Sequence, residues 1–130
     1  MTSNEIKNLL YRHLTKNVTV PIFKDVHPPI TETENYERIV INVNAIDGGS
    51  WGKGFANINW YVPDLKSDYE EPNHIGLNLA ERLLKDLFDH GTLLGADDAR
   101  VFCESHKITQ VKDNYSHYIN LSILLTITNF

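Results

Sequence analysis

The stretch that most constrains this chain is its last one, residues 117–130. From Ile119 the odd positions are Ile119, Leu121, Ile123, Leu125 and Ile127, and the even ones are Asn120, Ser122, Leu124, Thr126 and Thr128. A two-residue alternation this long, rich in β-branched side chains, specifies a strand with one buried face and one wetter face. Everything earlier in the chain must supply neighbours for that strand and a cover for its odd face.

A chain of 130 residues reads most simply as one domain spanning 1–130. At that size roughly two thirds of the unfolded surface is buried on folding, enough to stand without metal or disulfide. A net charge of -5 disfavours a DNA groove binder. One cysteine, Cys103, leaves no intramolecular disulfide and fits a reducing compartment. No apolar run approaches the roughly 20 residues of a membrane span, and Met1 to Glu5 has no signal-peptide pattern. A cytoplasmic protein without membrane association is the expectation.

Thr2 and Glu5 have capping-box spacing, and Ile6, Leu9, Leu10 and Leu14 follow on one stripe, which predicts a helix over 3–16. Val18 to Val26 predicts a short strand, held to a sheet edge or a bulge by Pro21. Residues 27–36 read as an exposed connection. Arg38 to Ile46 and Gly54 to Val62 alternate as two further strands, joined by a glycine-rich hairpin from Asp47 to Lys53 with an extended, mobile tip. Pro63 to Pro72 reads as an acidic surface loop. Asn73 is placed as the N-cap of a second helix, whose stripe is Gly76, Ala80, Leu83, Leu84 and Leu87 and whose C-cap is Gly91. Thr92 to Ala99 reads as a loop with Leu93 and Leu94 turned inward, and Arg100 to Val111 as a strand. The expected fold is therefore α+β, in the order α-β-β-β-α-β-β: an antiparallel sheet of four to five strands with two helices on one face.

The opposite sheet face would carry Asn42, Asn44, Asn57, Asn59, Asn120, Ser122, Thr126 and Thr128 with Tyr61 and Tyr118. That mixture suits open solvent, a wet protein interface or a small ligand. The glycine loop is no P-loop: it is one residue short, lacks the Ser or Thr after Lys53, and leads into a strand instead of a helix. Its alternatives are a flexible tip, or one that inserts Trp51 and Lys53 into a partner. The histidines at 13, 27, 74, 90, 106 and 117 show no ligand spacing, and Cys103 lacks the helix N-terminus or cation that activates a thiol. The carboxylates Asp64, Asp68, Glu70, Glu71, Asp97 and Asp98 all fall in expected loops with no histidine placed beside them. These patterns assign no catalytic residue, metal site or cofactor.

The element order, the size, the opening helix at Thr2-Ser3-Asn4-Glu5-Ile6, the hairpin Asp47-Gly48-Gly49-Ser50-Trp51-Gly52-Lys53 and the final Asn120-Leu121-Ser122-Ile123-Leu124 strand resemble the tail-terminator and head-tail joining proteins of long-tailed bacteriophages and prophages. The resemblance implies a non-enzymatic structural protein that forms a ring, usually a hexamer, on the last ring of the tail tube. Such a ring stops tube growth and joins the tail to the neck, and DNA only passes through its lumen. Its subunits assemble in the host cytoplasm and end in the virion tail or neck. A ring built head to tail needs two different patches per subunit. One is expected at Gly48, Gly49, Ser50, Trp51, Gly52 and Lys53. The other is expected on the acidic loop (Asp64, Asp68, Glu70, Glu71) or the polar strand face (Asn120, Ser122, Thr126). Two alternatives stay open: a binding module with Trp60, Tyr61 and Tyr118 as an aromatic platform for a small molecule or peptide, and a small enzyme assembled from dispersed histidines and aspartates.

Overall fold

In the computed structural model, residues 2–46, 51–65, 71–89, 91–95 and 99–129 are described. Helix α1 (Ser3–Asn17) and helix α2 (His74–Leu87) lie on one face of a six-stranded sheet made of β1 (Ile22–Lys24), β2 (Arg38–Ile46), β3 (Trp51–Pro63), β4 (Leu93–Gly95), β5 (Ala99–Asp113) and β6 (Ser116–Asn129). The strand order is β1-β2-β3-β6-β5-β4. The chain is α+β with both helices on one face, and the sheet has six strands where four to five were expected.

The alternating residues of β6 organise this sheet. β6 lies between β3 and β5, and its odd residues align with the buried sets of its neighbours: Ile39 faces Trp60, which faces Ile119, and Ile41, Ile58 and Leu121 form the next row. Against this floor α1 packs Ile6, Leu9, Leu10 and Leu14, and α2 packs Leu77, Ala80 and Leu84, followed by Phe88. The two helices are tied by His13, whose Nε2 is 2.7 Å from the Leu87 carbonyl and whose ring meets Phe88 edge-on.

Several local expectations change. The sheet is mixed, because β1 pairs parallel to β2. Residues 25–37 supply the long crossover that a parallel pair requires. β1 is only three residues long and does sit at an edge; the Pro21 carbonyl just before it accepts the Ile39 N–H at 2.9 Å. The segment expected as a loop over 92–99 contains β4, which pairs with Arg100 to Phe102 and buries Leu94. Trp51, Gly52 and Lys53 lie in β3, paired with Thr128, Ile127 and Thr126, so they are not part of a mobile tip. Gly48, Gly49 and Ser50 lie outside the described residues. The α1 capping box forms as expected, with Thr2 and Glu5 bonded to each other's backbone N–H. Helix α2 is capped by Asn73 but ends at Leu87, with Phe88 as C-cap; Gly91 takes φ +84° in the turn toward β4.

Gly76 lies tight against the sheet. A Cβ there would lie 2.9 Å from Cγ1 of buried Val62 and 3.1 Å from Nδ2 of the capping Asn73. The gain in helix propensity from alanine, about 1 kcal/mol, is set against overpacking on a stiff β-branched neighbour and a displaced cap. Gly76→Ala is expected to be net destabilising by about 1 kcal/mol in urea unfolding; a more stable variant would show that α2 shifts freely on the sheet.

Cys103 is buried in β5, and burial pushes its thiol up from 9.0 to about 11. At pH 8 roughly one thiol in a thousand is then ionised. Alkylation by iodoacetamide should be slow in the native protein and fast in denaturant. Because the folded pKa is the raised one, this group's contribution to stability is complete below about pH 9 and is lost as the pH rises toward 11.

Candidate interaction surfaces

The sheet face away from the helices divides into a covered end and an open end. At the covered end Arg38, Tyr61 and Tyr118 stand in one row across β2, β3 and β6. The Arg38 guanidinium lies 4.3 Å from the Tyr61 ring centre, and the Tyr61 and Tyr118 centres are 4.6 Å apart. Residues of the crossover close over them: His27 meets Tyr61 edge-on, and Asn35 donates to the Tyr115 carbonyl at 2.9 Å and to Ser116 Oγ at 3.2 Å. Arg38 is only 1% exposed, and its Nη1 donates to Asn35 Oδ1 and the Tyr36 carbonyl, each at 3.0 Å. Burial lowers the Arg38 pKa and raises that of Tyr61, with Tyr118 adding to the latter. The expected connection over 27–36 is thus also a cover for the sheet. The aromatic platform is not assembled: Trp60 points to the helices, and Tyr61 lies beneath Arg38 and His27.

The open end carries the amides. Asn120 Nδ2 donates to Asn59 Oδ1 at 2.6 Å and to Asn57 Oδ1 at 3.3 Å, and all three side chains are half-buried, as are Asn42 and Ser122. Further along, Thr126 donates to Glu104 Oε2 at 2.6 Å, and Lys53 Nζ is 3.5 Å from the same oxygen. Glu104 is the extra residue of a bulge in β5 between Cys103 and Ser105, which strand periodicity alone did not disclose. Phe55, on the same face and opposite Leu124, is 44% exposed. The strand-face residues expected as contacts, Asn120, Ser122 and Thr126, are therefore brought together with Lys53 on one half-exposed, mostly polar surface.

The acidic loop is not the solvated patch that was expected at its first residue. The Asp64 side chain is 4% exposed, with Oδ1 2.5 Å from His117 Nδ1, while Oδ2 is buried with no hydrogen-bond partner. The Asp64 N–H also donates to the Tyr115 carbonyl at 2.9 Å, so the end of β3 is fastened to the β5–β6 turn. Glu71 is exposed, and Asp68 and Glu70 lie outside the described residues. An Asp–His pair invites a nucleophile, but the neighbouring Ser116 Oγ bonds Asn35 on the opposite side of the strand. Among the described residues no group of three or more His, Cys, Asp or Glu side chains is placed to hold a metal, and no helix is long and apolar enough to cross a membrane.

A second surface lies on the opposite side of the molecule. Ile75, Leu79 and Leu83 recur every fourth residue along α2 and are 77%, 55% and 41% exposed. The helical spacing placed Leu83 in the core; the helix is turned so that Leu77, Ala80 and Leu84 face the sheet instead. Helix packing alone does not explain three large apolar side chains in one exposed row.

No family model and no curated protein matches this sequence. A solved structure whose name states no activity is similar to it, with a TM-score of 0.59 and 13% identity over 95% of this chain and 96% of that one. That likeness is one of fold.

Proposed function

We propose that this protein is a non-enzymatic structural subunit of a closed ring, of the kind that terminates the tail tube of a long-tailed phage or prophage and joins it to the neck. The observation that carries the reading is the pair of chemically unlike surfaces on opposite sides of one small domain. The apolar α2 row and the polar Asn/Thr sheet face lie on opposite sides of the subunit, and a head-to-tail ring is a closed assembly that uses two different patches on every subunit. A half-exposed amide and hydroxyl face suits a wet contact made after folding, and the acidic net charge suits a lumen that lets DNA pass without holding it. Six subunits, tube and neck proteins as partners, and assembly in the host cytoplasm before incorporation in the virion follow from the same reading. Electron microscopy of particles made without this protein is the test. Tails of uncontrolled length, or full heads beside detached tails, are the expected result, and normal virions would refute it.

A further inference from the structure

The two edges of the sheet are treated differently. On one side, β1 is three residues long, is preceded by Pro21, and is followed by Asp25 at φ +70°, devices that blunt an edge. On the other side, β4 covers β5 only at Arg100 to Phe102, and Cys103 bonds Thr92 and Gly91 just beyond. From Ser105 to Val111 no strand among the described residues pairs with the outer side of β5, and this stretch is exposed or half-exposed throughout. Cys103 directs its backbone outward. His106, Ile108 and Gln110 share its sheet face past the bulge, and strand alternation puts the outward N–H and C=O groups on them.

We infer that this edge is a self-association site, at which β5 pairs antiparallel with β5 of a second copy about Gln110. Charge favours one register over the adjacent one. Centring on Gln110 sets Lys107 opposite Asp113 of the other copy, twice by symmetry, and Thr109 opposite Val111. Centring on Thr109 would set His106 opposite Lys112. Lys107 has no ion-pair partner among the described residues, while the Asp113 carboxylate accepts the Asn114 N–H and lies near enough to Arg38 and Tyr61 to act on both. A second copy supplies the missing strand and, for Lys107, the opposite charge. The contact is isologous, so it goes beyond the head-to-tail ring and does not rest on it.

Sedimentation equilibrium tests the pairing. The wild-type chain should show a reversible monomer–dimer equilibrium, and Lys107→Asp or Asp113→Lys alone should weaken it on the order of tenfold or more by opposing like charges. Circular dichroism and thermal melts check that each variant is folded, since Asp113→Lys also gives up the bond to Asn114. Mixing the two variants places opposite charges at both ends of the pairing, in the native sense at one end and reversed at the other, and should restore the dimer. A wild-type chain that stays monomeric at its solubility limit, or a mixture no more dimeric than its components, would overturn the proposal, leaving Lys107 as a guard of the edge. Neither result bears on tail length in particles lacking the protein.

Discussion

His117→Ala is expected to lower stability by about 3 kcal/mol. The Asp64 side chain is almost wholly buried and its second oxygen already has no partner, so removing the imidazole leaves both carboxyl oxygens without a side-chain partner where solvent hardly reaches. Breaking a buried pair by deleting one member typically costs about 3–5 kcal/mol, whereas replacing both with apolar groups often costs little. The double variant Asp64→Leu/His117→Phe should therefore recover most of the loss in urea unfolding. If the two single losses simply add in the Asp64→Ala/His117→Ala protein, the residues act independently and the pair is a bystander.

The second large effect is expected on assembly and not on folding. Leu79→Asp places a charge in the middle of the exposed α2 row, where the wild-type side chain touches mostly water, so the unfolding free energy should change by about 0.5 kcal/mol or less. In a complementation assay the same variant should fail to produce joined tails, because a charge at the centre of an apolar contact is stranded when the contact forms. Leu84→Ala is the matched control. It lies on the opposite side of the same helix, fully buried, and should cost about 3 kcal/mol through the cavity it leaves. An assembly-competent Leu79→Asp protein would remove α2 from the interface and leave the ring reading without its principal support.

What the sequence disclosed follows the physics of alternation. β2, β3 and β6 are long, half-buried strands with a clean two-residue period, so their faces were legible, and the α1 capping box is a local signal that needs no tertiary context. β4 was not legible because three residues carry no periodicity, and the parallel pairing of β1 depends on a crossover that hydropathy does not encode. Helix α2 misled through excess: with Ile75, Leu77, Leu79, Leu83, Leu84 and Leu87 its apolar arc is wider than one face, and pattern alone does not say which part the sheet takes. Close packing at Gly76 helps decide it. Asp64 and His117 are 53 positions apart and meet only because β3 and β6 are neighbours, so no spacing rule brings them together. The candidate surfaces were legible by half: the amide face was visible in the even positions of β6, while of the α2 row only Leu83 was placed, in the core, and Ile75 and Leu79 were given no place.

The bulge in β5 has a consequence for how this chain tolerates change. Cys103 faces Leu125 and Ser105 faces Leu124, so Glu104 is surplus to the ladder, and excising it would leave the partner of every other β5 residue as it is. Most single deletions in a strand throw all later side chains onto the wrong face; here the reading frame of the sheet is indifferent to the loss. What would go is the carboxylate beside Lys53 and Thr126, which spans three strands, and the extra coil that the insertion imparts to the free end of β5. Glu104 is in that sense an optional part, retained for the shape and charge of a surface and not for the pairing beneath it.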